Sequence, residues 1–179
     1  MENIEYIKMR ALEVGFTVSA NLDCTTIKPM KEVREMCSSN KCNKYGKNWA
    51  CPPGCGTLEE CTRNISNYKY GIIVQTVGEL EDSLDYESMM KIQGKHNQMF
   101  KSMTEELREE YPNLIALGAG CCLQCEECTY PNSVCRFPQK AISSMEAYGI
   151  LVSKVCSDNN IPYYYGAGTI SYTGCFLLD

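Results

Sequence analysis

Leu114-Ile115-Ala116-Leu117-Gly118-Ala119-Gly120-Cys121-Cys122-Leu123-Gln124-Cys125-Glu126-Glu127-Cys128 runs from a short apolar stretch through three small residues into a cysteine cluster, which Cys135-Arg136-Phe137-Pro138 closes. Residues 114–117 read as a buried strand. The small residues after it let the backbone come close to a bulky inorganic core. Cys122-x2-Cys125-x2-Cys128-x6-Cys135 then sets three thiolates at two-residue intervals with a more distant fourth, a common way of holding an iron–sulfur cubane. Arg136, beside the fourth thiol, offsets the negative charge of such a centre. Cys121 is the alternative to Cys122. The spacing Cys121-x3-Cys125-x2-Cys128 also matches radical enzymes, but the chain is too short for the barrel they use. A four-thiolate zinc site is the competing metal reading. Zinc folds domains that lack a core, and this chain has apolar residues enough to build one.

Upstream lies a second group, Cys37-x4-Cys42-x8-Cys51-Pro52-Pro53-x-Cys55, with Cys61 just beyond. Cys37, Cys42 and Cys51 are its firm members, and proline after Cys51 turns the chain away from a metal. The fourth ligand is open between two thiols. Cys55 follows a Pro-Pro-Gly turn and is preferred. Cys61 sits near the start of a helix, where the N-terminus favours a thiolate. Tyr45 and Trp49 lie inside this loop, either as shields of a cluster or as ordinary loop cover.

Around these groups helices and strands alternate. Ile4, Ile7, Ala11 and Val14 repeat at helical spacing up to Gly15. Residues 16–20 and 70–77 read as strands. Pro29 opens a helix running to Cys37. Thr57-x-x-Glu60 is a capping box for a short helix. Met89, Ile92, His96, Met99, Met103 and Leu107 mark one face of a long helix that Pro112 ends. Ser143-x-x-Glu146 predicts a second capping box, opening a helix with Ala147, Leu151 and Val155 on one side. Residues 161–165 and 169–177 read as strands joined by Gly166-Ala167-Gly168. The order implies an α/β or α+β fold: a small central sheet flanked by helices, with two cysteine-rich loops at its ends, in a single domain over 1–179.

The chain has 179 residues, 13 cysteines, one histidine and a formal net charge of −5. The acidic balance argues against a nucleic-acid partner. The N-terminus lacks the basic and apolar regions of a signal peptide, and no stretch has the length of a membrane span. A cytoplasmic protein with reduced thiols is therefore expected, and grouped cysteines there read as metal ligands rather than disulfides. Abundant air-sensitive thiols suit an anaerobic cell. His96 lies on the apolar stripe and reads as a packed side chain. Cys156 reads as a buried free thiol, and the isolated Cys24 and Cys175 are assigned no metal. No phosphate-binding glycine loop and no Ser/His/Asp set is present.

Taken together, Cys37, Cys42, the run Tyr45-Gly46-Lys47-Asn48-Trp49-Ala50-Cys51-Pro52-Pro53, and the block from Cys122 through Cys135-Arg136-x-Pro138 to Ser144-Met145-Glu146-Ala147-Tyr148-Gly149-Ile150 resemble a family of small cysteine-rich proteins of anaerobes described as predicted metal-binding proteins. The resemblance covers most of the chain and implies metal binding without a known reaction. Joined to the spacing, it leads to the expectation of two [4Fe-4S] clusters, on Cys37, Cys42, Cys51 and Cys55 and on Cys122, Cys125, Cys128 and Cys135. Such a protein would pass electrons to a redox partner protein in anaerobic metabolism. An iron–sulfur enzyme with one open iron, binding a substrate or a sulfide, is the alternative, and a zinc-stabilised interaction module is a third.

Overall fold

The computed structural model describes residues 2–178. One mixed sheet holds β1 (Val18–Asp23), β2 (Tyr70–Glu79), β3 (Ile115–Gly118), β4 (Ser143–Ser144) and β5 (Thr169–Leu178), in the order β1-β2-β5-β3-β4. Neighbouring strands are antiparallel except β3 and β4. Among the described residues there are five α-helices: α1 (Glu2–Val14), α2 (Lys31–Ser38), α3 (Leu58–Ile65), α4 (Tyr86–Glu110) and α5 (Val152–Asp158). The fold is α+β, and none of these helices is long and apolar enough to cross a membrane.

Strand alternation sorts the core into two layers. Ile72, Val74, Ala116, Phe176 and Leu178 face α1 and α4, where they meet Ile7, Ala11, Met99, Phe100, Met103 and Leu107. Ile73, Leu117, Cys175 and Leu177 point the other way, towards Ile65 of α3 and Val155 and Cys156 of α5. Because β2 is covered on both faces, residues 72–74 read as an unbroken apolar run rather than an alternating one. Cys24, Cys156 and Cys175 are all buried in the second layer and serve as small apolar side chains. Burial pushes their thiols up, Cys24 to about 12 and Cys156 to about 11.

His96 is fully buried on the α4 face. Its Nδ1 lies 2.9 Å from Thr76 Oγ1, while Nε2 has no hydrogen-bond partner among the described residues. Phe16 meets the ring edge-on and Phe100 stacks on it. The helix-face reading of this histidine is correct.

Three expectations change. Ser143 and Ser144 do not open a helix. They pair with Leu117 and Gly118 as β4. Ser144 Oγ accepts from Ala147 N at 3.1 Å, so its capping serves only one 3-10 turn, Glu146–Tyr148. Gly149 ends that turn at φ +76°, and a β-carbon there would stand 2.9 Å from Met30 O. Helix α5 starts only at Val152. Residues 161–165 form no strand and pair with none of the five. The segment is tied down by the buried Gln75 side chain instead: Nε2 donates to Pro162 O at 3.0 Å, and Oε1 accepts from Tyr165 OH at 2.6 Å. Finally, α2 begins at Lys31 rather than at Pro29. Met30 is extended, and its N–H is spent on Gly149 O at 2.7 Å.

Candidate metal centre

All thirteen cysteines are free thiols. No regular element lies between Ser38 and Leu58, and turns organise the first cysteine loop. Gly46 N donates to Pro52 O at 2.9 Å, Cys51 N to Asn48 O at 3.1 Å and Cys55 N to Cys51 O at 3.1 Å. The second loop leaves the sheet at the end of β3 and is closed by Ser133 N to Thr129 O at 3.0 Å and by Arg136 Nη1 to Glu127 O at 2.8 Å. Arg136 therefore braces the loop that carries Cys128 and Cys135.

The two loops pack directly on each other. Asn48 Nδ2 donates to Cys122 O at 3.3 Å, and Trp49 N donates to Cys128 Sγ at 3.4 Å. Trp49 Nε1 reaches Ser133 O at 3.0 Å, and the indole meets Tyr130 edge-on with centroids 4.8 Å apart. At Gly54 a β-carbon would stand 2.7 Å from Asn48 O and 3.0 Å from the Tyr130 ring, so the Pro-Pro-Gly turn needs glycine to fit this junction. Trp49, inside the first cysteine group, covers the second. Asn48 is buried and also accepts from Ala50 N at 2.9 Å. Its part in joining the loops gives no signal in the spacing of the cysteines.

The thiols fall into distinguishable neighbourhoods. Burial, and then the charges of Cys121, Cys42, Cys37 and Cys122, push the Cys51 thiol up to about 12. Burial raises Cys37 as well, followed by the charges of Glu146 and Cys42. Cys121 is raised by burial and by Cys42 and Cys122, while Lys44 opposes the shift. Thiols of the two loops are thus within electrostatic reach of one another. Cys55 and Cys61 form a separate pair. Cys61 Sγ contacts Cys55 O at 3.5 Å and accepts from Arg34 Nη1 at 3.4 Å. Arg34 also bonds Gly56 O. The hydrogen bond from Cys55, and then Arg34, lower the Cys61 thiol, while the same bond raises Cys55. Arg34 is a residue that cysteine spacing alone does not reveal. Helix α3 places Cys61 through the expected capping box, in which Glu60 N donates to Thr57 Oγ1 at 3.1 Å and Thr57 N to Glu60 Oε2 at 2.7 Å. Thr57→Ala should destabilise the metal-free protein by about 1 kcal/mol. Urea denaturation measures this, and an unchanged midpoint would contradict the role of the cap.

Cys125, Cys128 and Cys135 are partly exposed on the outer loop, where Cys125 borders a surface cleft with Glu126, Glu127, Arg136 and Phe137. Among the described residues no three Cys, His, Asp or Glu side chains close tightly on a single point. The donor chemistry nonetheless fits a thiophilic metal centre. The two cysteine loops pack on each other, a backbone N–H of one points at a sulfur of the other, and Lys44 and Arg34 are within electrostatic reach to balance anionic charge. A metal bound through these raised thiols would displace their protons.

The model of a family described as "Predicted metal-binding protein (DUF2284)" matches residues 20–178. No curated protein and no solved structure matches the chain.

Proposed function

The chain belongs to the DUF2284 family of predicted metal-binding proteins, and from that premise we propose that it is an iron–sulfur protein carrying two [4Fe-4S] clusters that moves single electrons to or from a redox partner protein in anaerobic metabolism. Cys122, Cys125, Cys128 and Cys135 hold one cluster. Cys37, Cys42 and Cys51 hold three corners of the other, and one more thiol completes it. The observation that carries this reading is the packing of the two cysteine loops, with Trp49 N donating to Cys128 Sγ across the junction. Hydrogen bonds to ligand sulfur are one of the means by which a protein sets cluster potential. A bound cluster supplies one-electron chemistry, and the chain's part is to ligate it, direct N–H groups at its sulfurs and limit its contact with water.

The test is metal analysis of protein purified without oxygen. On the order of eight irons per chain, with matching acid-labile sulfide, is the expected result. Stoichiometric zinc with no sulfide would replace this reading with a zinc-stabilised module.

A second reading is an enzyme with one open iron. It is favoured by a small cleft lined by Cys121, Cys122, Gly120, Asn97 and Lys101, beside the thiols and with a cation at its wall. Small anions or thiols would then shift the electron paramagnetic resonance (EPR) signal of one cluster, and a signal indifferent to them rules this reading out.

A further inference from the structure

Charge is spread unevenly over this chain. Residues 38–57 contain Lys41, Lys44 and Lys47 and no acidic residue, so the first cysteine loop carries three positive charges in a chain whose formal net charge is −5. The three lysines are exposed, and none forms an ion pair with a carboxylate among the described residues. They recur at the interval at which the loop turns: Asn40 N donates to Cys37 O at 3.0 Å, Asn43 N to Asn40 O at 2.9 Å and Lys47 N to Lys44 O at 3.1 Å. Asn40 and Asn43 take the left-handed conformation, at φ +53° and +57°, which asparagine tolerates. Cys42, between Lys41 and Lys44, is exposed as well.

The seam between the two loops adds apolar surface. Asn48, next to Lys47, donates to Cys122 O at 3.3 Å, and Trp49 Nε1 donates to Ser133 O at 3.0 Å. The residues that follow these two acceptors are Leu123 and Val134, 66% and 82% exposed. Two bare aliphatic side chains therefore flank the seam, with the lysine loop beside them. An apolar centre with a charged rim is the composition of a protein-binding surface. Its small apolar area suits the small interfaces of short-lived redox encounters. Lysines that served only to offset thiolate charge would leave the exposure of Leu123 and Val134 without a reason.

Resting on the iron–sulfur reading, we propose that this seam is the docking face for an acidic redox protein, with Lys41, Lys44 and Lys47 meeting carboxylates on its rim and Leu123 and Val134 meeting its apolar centre. One electron crosses between the first cluster, by way of the exposed ligand Cys42, and the partner's one-electron centre. No bond breaks and no proton moves. A chain of net charge −5 repels an acidic partner at long range, and the lysine loop supplies local attraction where the electron must pass. Nucleic acid is the poorer fit. A chain acidic overall repels a long polyanion, and Leu123 and Val134 offer bases no ring to stack on.

The experiment follows electron transfer between this protein and an acidic plant-type ferredoxin, in whichever direction is downhill, by stopped flow without oxygen at a series of salt concentrations. Net charge alone predicts a rate that rises with salt, because screening relieves repulsion. The lysine face predicts a rate that falls. Lys41→Glu/Lys47→Glu, which leaves Lys44 in place, should keep its iron and slow transfer at low salt by about tenfold or more. Its rate should then rise with salt. Val134→Ser should slow transfer at every salt concentration. A wild-type rate that rises with salt, or a double variant as fast as wild type, overturns the proposal. So does slowing that follows entirely from a shifted cluster potential, which would make the lysines counter-charges only. If charge reversal disturbs folding, Lys41→Gln/Lys47→Gln gives the same comparison. A single-stranded oligonucleotide that binds more tightly than the ferredoxin at equal salt, through the same lysines, also overturns it. A colourless zinc protein would end the iron–sulfur reading by itself. Salt-sensitive binding of the ferredoxin to that protein, lost in the double variant, would leave the docking face standing, and no binding would remove it too.

Discussion

Cys125→Ser should remove about half of the iron from protein prepared without oxygen and leave the other half intact, and Cys51→Ser should do the reverse. The two substitutions fall in different loops, and neither thiol is the closing member of its group. Serine is close to cysteine in size, so little packing is lost. Its hydroxyl is a harder and poorer donor for a cluster iron, so the ligand effect dominates. Cys125 lies on the partly exposed outer loop, and its replacement disturbs few core contacts. Cys51 is buried, and here the result is also a test of the partition. Iron and sulfide assays, read with the EPR spectra, give the outcome directly. If either variant stays folded by circular dichroism and yet loses all of its iron, the two centres are one and the partition fails.

The second large effect concerns acid stability. Burial pushes His96 down to about 4 from its ordinary 6.5, because the ring sits among Phe16 and Phe100 and its Nε2 has no partner to share a proton. The unfolded chain binds a proton at this position below about pH 6.5, and the folded chain does so only below about pH 4. The stability that the neutral ring preserves is therefore complete above pH 6.5 and is lost as the pH falls through that window. A shift of this size corresponds to about 3 kcal/mol. Asp23, Glu60, Asp85 and Glu106 are held below the usual carboxylate range by hydrogen bonds and contribute acid sensitivity of their own. The informative quantity is thus the difference between wild type and His96→Leu. The variant forfeits the Thr76 hydrogen bond at every pH, and its stability should fall less steeply between pH 6.5 and pH 4 in urea denaturation. Parallel curves over that range would show that His96 protonates in the folded state as easily as in the unfolded one.

Local chemistry was legible wherever one segment carries its own reason. Gly15 follows a period-3.6 helix, Thr57 and Glu60 make both bonds of a capping box, and residues 72–74 are apolar throughout because their strand is covered on both faces. The errors came where a local signal met a partner far away in sequence. Ser143 and Glu146 carry a helix-start pattern, but the edge of β3 takes Ser143 and Ser144 into the sheet before a helix can form. Residues 161–165 carry a strand pattern, but the side chain of Gln75 holds their carbonyl and hydroxyl groups and they join no strand of the sheet.

The same division applies to the site. The sequence by itself determined that the chain holds two groups of closely spaced thiols on loops, that it belongs with metal-binding proteins, and that Cys24, Cys156 and Cys175 stand apart from those groups. Spacing along a chain is enough for this, because a few residues of loop limit how far apart neighbouring sulfurs can lie. Only the tertiary structure decided that the loops meet through Asn48 and Trp49, and that Cys61 Sγ lies between the Cys55 carbonyl and Arg34. Those relations join residues separated by as many as seventy-nine positions. They are set by how β3 delivers the second loop to the first, and the spacing within either loop carries no record of that approach.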